Sequence, residues 1–424
     1  MQVPDIIEFP SKATAFAHGN APVPDSAHVD LFARIHGEKQ AYYARWIHDI
    51  PMVVSPERDE ELHEIQRVLY ASACYFASHY RDWLDFVPLD EIALETLEYC
   101  ERYPFHAGTY RPDLLLCEDG AVRVCEITSR FFGNGYFLSY FYDEAAREKC
   151  EQWGIDDRTS RLEDMLAYFA AMAAGKKRLV VLKSADRSDS IRLYVPYYEA
   201  LGLHPTVLEA DQVESSASLL ENAFVISALN QVDLANLSTS TRHLMADVGC
   251  RNDFRTIYLL HDKRFFRLFA ESAFTNAFLT DEQTAFLRAH TVPTYLPHTD
   301  PEKFDYARSH KDDFIMKHHK LGKSEKVFAG CLTTQLDWND LFEPPIVGDM
   351  ILQPFQRQRF FPVTWEGQQF NDYACGAILT VDDKYFGPGI VRTSSCPVIN
   401  RTDDRKFAHI VTAQANRFPA HYNF

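Results

Sequence analysis

A tight turn between two strand-like runs constrains this chain more than any other single feature. Asp113-Leu114-Leu115-Leu116 is a short apolar run, and Glu118-Asp119-Gly120 has the chemistry of a tight turn. Ala121 to Ile127 then alternates, with Val122, Val124 and Ile127 apolar against Arg123, Cys125 and Glu126. Two such runs closing on a turn predict a β-hairpin. Counting back from the turn sets Asp113 and Glu126 on adjacent strands, close enough to converge. Two converging carboxylates are costly unless a cation neutralises them. Oxygen ligands of this kind suit Mg²⁺ or Mn²⁺; the plainer alternative is a surface hairpin with solvated acids.

Around the hairpin the texture changes three times. The first hundred residues read helical: Ser55-Pro56-Glu57 is an N-cap followed by proline and an acidic first turn, with Leu62, Ile65, Leu69 and Phe76 at helical spacing. A second helix is expected from Leu89 to Tyr103, closed by Pro104. After the aromatic stretch 131–142, broken by Gly133-Asn134-Gly135, a helix is expected over Asp164–Ala174. Residues 178–248 then alternate strand and helix: Arg178–Lys183, a helix Ser190–Leu201, Pro205–Leu208 and Phe224–Ile226, which predicts a small parallel sheet. Thr256–Leu260 reads as a further strand running into Asp262-Lys263 and a helix Arg264–Ala273. The last third is mixed, with a capped helix from Thr280 to Ala289 and strands at Phe314–Lys317, Met350–Leu352 and Ala377–Leu379. The expected class is α+β with an α/β subdomain, divided at 1–104, 105–175, 176–255 and 256–424. Two to three compact units suit a length of 424 residues.

Charge and cysteine usage narrow the function. With 43 Lys+Arg against 60 Asp+Glu the formal charge is −17, which repels phosphate backbones and anionic lipid. Nucleic-acid and membrane-surface roles are therefore not expected, whereas a nucleotide needs only a local basic pocket. The nine cysteines include no C-x-x-C pair, so a reducing, cytoplasmic setting is expected. The N-terminus carries no basic and apolar leader pattern, and the apolar run Met165 to Ala174 is too short to span a bilayer.

Several further positions have chemistry worth testing. Lys317 ends a strand and opens a loop, 320–330, holding Gly322, Lys323 and Gly330; a strand delivering lysine to such a loop can grip phosphate, though an isolated strand-end charge looks the same. The stretch is not a Walker A loop, because its first glycine would fall on Lys317. Gln353 ends an apolar strand, either to reach a base edge or to cap the strand. Arg392 follows the Gly387-Pro388-Gly389 turn, facing phosphate or solvent. His318 and His319 point to opposite faces of a strand and cannot easily share one ion. No G-x-S-x-G, H-E-x-x-H or G-x-G-x-x-G is present.

The order of these motifs along the chain resembles that of the circularly permuted ATP-grasp ligases of the glutathionylspermidine synthase type. In that family a metal-binding hairpin comes first, a small α/β unit follows, and two lysine-bearing ATP segments come last. The resemblance covers about residues 105–400. Arg111, Asp113 and Glu126 match the family's Arg-x-Asp and Glu-x-Asn pattern; Thr128 stands where asparagine is usual. Asp262-Lys263 and Lys317-His318 match the two ATP segments, and the long gap between them suggests an insertion around 285–310.

The resemblance implies a circularly permuted ATP-grasp fold behind a helical N-terminal region, and an ATP-dependent carboxylate–amine ligase working through an acyl phosphate. ATP would be held by Lys263, Lys317, Gly322, Lys323 and Gln353, and Mg²⁺ or Mn²⁺ by Asp113, Glu126 and Thr128. Arg111 and Arg392 would stabilise the transferring phosphoryl group. Arg130 and Asn134 would bind the acceptor, a small-molecule carboxylic acid joined to an amine. Two alternatives stay open: an ATP-grasp phosphotransferase that makes no amide, and a nucleotide-binding protein without turnover.

Overall fold

The structure is a computed structural model that describes residues 47–48, 50–185, 191–365, 368–399, 405–419 and 422–424. Residues 1–46 of the expected helical N-terminal region lie outside it. A short strand, β1 (Met52–Val54), leads into the helix Pro56–His79, whose cap is the expected one: the Ser55 side chain accepts from the Arg58 amide at 3.2 Å. Leu62, Ile65, Leu69 and Phe76 form its buried stripe. Each such side chain contributes about 1.5–3 kcal/mol through burial. The second helix, Glu91–Cys100, starts at Asp90, whose carboxylate accepts from the Ala93 amide.

The hairpin consists of β2 (Thr109–Leu116) and β3 (Val122–Thr128), paired antiparallel. Arg111 lies opposite Thr128 and Asp113 opposite Glu126, but Leu114 lies opposite Val124. Cys125 is thus one residue more than the ladder uses, a β-bulge. The bulge lets Val124 and Ile127 both face the core while Glu126 faces away from it, which explains the broken alternation of the sequence.

β2 also pairs with β11 (Gln368–Val381), and the sheet continues through β13 (Val391–Ser394) to β14 (Arg405–Phe407) in the order β14-β13-β11-β2-β3. The hairpin and the C-terminal strands therefore share one seven-stranded sheet, completed by β10 (Phe361–Trp365) and β12 (Lys384–Pro388) on β11. The parallel unit is also present: β4 (Arg178–Lys183) lies between β5 (His204–Glu209) and β6 (Phe224–Ala228). A third sheet sets β7 (Phe314–His318) between β8 (Val327–Ala329) and β9 (Met350–Pro354), antiparallel throughout. This arm has its own apolar cluster, with Met316, Trp338 and Leu352 at its centre.

Two expectations are corrected. Thr256–Leu260 is a π-helical turn, not a strand, and all five residues are buried. A short apolar run buried all round has no face to alternate, so its period cannot separate strand from helix. The helix expected after Lys263 is a 3₁₀ helix, Lys263–Ala270, followed by a short turn of α-helix, Ser272–Thr275. Residues 290–295, within the expected insertion, link two sheets. Val124 N donates to His290 O, Val292 N donates to Val124 O, and Tyr295 exchanges both main-chain bonds with Leu352 of β9. No helix among the described residues is long and apolar enough to cross a membrane.

Candidate functional site

A cleft opens between the hairpin side of the large sheet and the arm, lined by Glu126, Lys317, Gly322, Gln353, Cys375 and Arg392 among others. Its cavity volume is about 90 Å³. Five of the residues singled out in the sequence thus share one cavity, although Glu126 and Arg392 lie in distant parts of the chain.

On the hairpin wall the charges are fully paired. Asp113, 1 % exposed, takes Arg111 bidentately, Oδ1 from Nε at 2.7 Å and Oδ2 from Nη2 at 3.1 Å. Arg392 Nη2 donates to Oδ2 at 2.8 Å, and the Thr128 hydroxyl donates to the same oxygen at 3.3 Å. Burial pushes the Asp113 carboxyl up, but the two guanidinium groups outweigh it and hold it below the usual carboxylate range. Arg111 is fixed from its far side by Asn134 O at 3.0 Å. Gly135 makes this approach possible: its φ is +88°, and a Cβ there would stand 2.8 Å from Arg111 Nη1.

This pairing describes how two of the three expected metal ligands stand in the fold. Both Asp113 oxygens accept from arginines, and the Thr128 hydroxyl is turned to Asp113 as a donor. No group of three His, Cys, Asp or Glu side chains suited to a metal exists among the described residues. Glu126 alone of the three expected ligands lines the cleft, with Lys263 Nζ at 3.5 Å. The described residues by themselves build no such cage for a divalent cation. A single carboxylate does fit Mg²⁺ that arrives bound to phosphate, which commonly uses one or two protein carboxylates.

The arm wall is different. Lys317 is only 7 % exposed, lines the cleft, and its ammonium makes no hydrogen bond or ion pair with any described residue. Lys263, 2 % exposed, is tied to protein groups, donating to Leu321 O at 2.5 Å. Its neighbour His261 is pushed down to about 3 by burial, with Lys263 and Arg130 adding to the effect, so its ring is neutral. That ring joins the Ser129 amide (3.5 Å) to Lys320 O (3.1 Å).

Other expected roles are not matched by position. Lys323 is exposed and does not line the cleft. It has a positive φ, as do Ser324 and Lys326. Gln353 lines the cleft, but its amide nitrogen is spent on Cys125 O (3.3 Å) and Thr294 Oγ1 (2.9 Å), bracing the arm against the hairpin. Arg130 stacks on Phe131 with 4.4 Å from guanidinium carbon to ring centre and does not line the cavity. Asn134 contributes its carbonyl, not its side chain, to Arg111.

The sequence reading missed Cys375 and Cys125, which are hydrogen-bonded to each other at the cleft wall. That bond and then burial push the Cys125 thiol well up. Cys375 is held down by the same bond against burial, with help from Arg392, whose Nη2 is 3.4 Å away. Nothing in the local sequence links two cysteines so far apart; only the sheet order does. All nine cysteines are free thiols.

A family model described as the AnkG N-terminal domain matches residues 77–259. The match spans less than half of the chain and stops short of Lys263 and Lys317. No curated protein matches. Among solved structures, a glutathione synthetase-like effector (GSS30) from Globodera pallida, in its apo form, is similar with a TM-score of 0.53 and 11 % identity, over 86 % of this chain and 90 % of that one. At that identity the likeness concerns architecture alone: this chain has a mixed helix-and-sheet fold similar to that of a glutathione synthetase-like protein.

Proposed function

We propose that the chain is an ATP-dependent carboxylate–amine ligase of permuted ATP-grasp architecture, joining amino-acid-like or other small molecules through an acyl phosphate. One observation carries the reading. Cations from separate parts of a chain of net charge −17, Lys317 and Arg392, line one cleft, and Lys317 is buried there with no hydrogen-bond or ion-pair partner among the described residues. A buried unpaired ammonium is costly, and a bound polyanion removes that cost. The fold likeness to a glutathione synthetase-like effector supports the same reading.

In this reading Lys317 binds a phosphate oxygen directly, and Lys263 exchanges Leu321 O for another. Arg392 faces the phosphoryl group in transfer, and Arg111 holds Asp113 so that Arg392 stays oriented. Arg130, with the Asn134 turn, receives the acceptor carboxylate. Mg²⁺ or Mn²⁺ carried in with the triphosphate would neutralise charge on its oxygens, with Glu126 as the chain's ligand. The work is positioning and electrostatic stabilisation. Ligand pockets commonly measure about 300–1,000 Å³. The 90 Å³ cleft is smaller than that, and this reading expects the loop carrying Gly322 and Ser324, which line it, to move outward when a nucleotide enters. Nine free thiols suit a cytoplasmic setting.

A second reading, nucleotide binding without turnover, is favoured by one observation: Asp113 is wholly committed to arginines. ADP release measured with paired carboxylic acids and amines, with mass detection of products, separates the two. The ligase reading expects ADP release that requires both substrates and stops in excess EDTA. Release that continues in EDTA, or binding of ATP without release for any pair, would overturn it.

A further inference from the structure

Asp262 and His319 do not line the cleft, yet both are buried, at 0 % and 6 % exposure. Asp262 Oδ1 accepts from the Arg264 amide and from Arg264 Nε, each at 3.0 Å. Its Oδ2 accepts from Arg264 Nη2 at 2.6 Å and from His319 Nδ1 at 2.8 Å. Burial pushes this carboxyl up, but His319 and Arg264 hold it well below the usual range, so it stays ionised and His319 Nδ1 is the donor. The main chain closes the same junction, with Lys263 N donating to His319 O at 3.0 Å.

The position of this junction gives it a meaning beyond local stability. Asp262 immediately precedes Lys263, and His319 follows Lys317 by two residues at the end of β7. One side-chain bond and one main-chain bond therefore fasten the segment carrying one lysine to the strand carrying the other. Lys317 lines the cleft and Lys263 reaches its Glu126 at 3.5 Å, and flexible side chains alone do not fix the separation of two such ammonium groups. A rigid junction behind both does.

We propose that the Asp262–His319 bond is a clasp that sets the spacing of Lys263 and Lys317, making His319 a positioning residue for a triphosphate; the inference rests on the nucleotide reading above. The claim is specific to the donor at Nδ1. His319→Asn keeps an N–H donor near that place, whereas His319→Phe keeps the ring's bulk and loses the donor.

The test is equilibrium binding of ATP with Mg²⁺ to the full chain by titration calorimetry, with near-ultraviolet circular dichroism as a check on packing. His319→Phe is expected to bind on the order of 10-fold more weakly or worse, as for loss of a hydrogen bond to a charged group. His319→Asn is expected to stay within about twofold of the unaltered chain, and His319→Phe combined with Asp262→Asn to be no weaker than the weaker single variant, again within about twofold. Unchanged affinity in a folded His319→Phe protein overturns the clasp and leaves the nucleotide reading standing. An unaltered chain that binds no ATP overturns both. If His319→Phe does not fold, Asp262→Asn decides: the same weakening is expected, and unchanged affinity overturns the clasp.

Discussion

The two walls of the cleft treat charge in opposite ways. On the hairpin wall Asp113 is buried and saturated by Arg111, Arg392 and Thr128. On the arm wall Lys317 is almost as deeply buried and has no partner among the described residues. The first arrangement is complete in itself and stabilises the fold only while every member is present. The second is incomplete among the described residues, and in the proposed reading a bound polyanion removes its cost. The contrast separates a framework from a binding surface more sharply than burial does, since burial is nearly the same on both.

The largest expected effect breaks the framework side. Arg111→Met leaves Asp113 buried with one guanidinium, and should cost about 3–5 kcal/mol of stability, read from denaturant unfolding. Lys317→Met is the opposite case. It should lower ADP release by roughly 10²–10³-fold, as for loss of a stabilising cation. Its unfolding midpoint should be unchanged or higher, because an unpaired buried charge is removed. A large loss of stability there would erase the contrast between the walls.

Acid should separate them further. Asp113 has a lowered pKa in the fold, so protonation favours the unfolded chain. Its contribution is fully present above the unfolded value of about 3.9 and is lost as pH falls below it. The thermal midpoint of the unaltered chain should therefore drop as pH falls from about 5 to 3, and Asp113→Asn should show a shallower drop. The smallest effect is at the support of Arg111. Gly135→Ala puts a Cβ at positive φ and against Nη1, and should cost about 1–3 kcal/mol.

Much of the fold was legible where short-range patterns decide it. The turn at Gly120 and the apolar runs beside it located the hairpin, and the strand Arg178–Lys183 was read to its ends because its flanks are polar. Thr256–Leu260 was not legible, since five buried residues in a row carry no period. At the site, residue types at the right order in the chain pointed to Glu126, Lys317 and Arg392, which share the cleft. What could not be read was which charges satisfy each other. Asp113 and Arg392 are 279 positions apart and meet only because β11 lies between β2 and β13. The same holds for Gln353, whose amide is turned to Thr294 and Cys125 by the linker 290–295.

The surplus residue at Cys125 has a consequence for how this strand tolerates change in length. Shortening the chain there by one would restore simple up-and-down order, and the acid at 126 would still look across at Asp113. Removing Val124 instead would take a core side chain away and bring the thiol into its place beside Leu114. A spare position inside a ladder is thus a place where a protein can lose a residue without losing its phase.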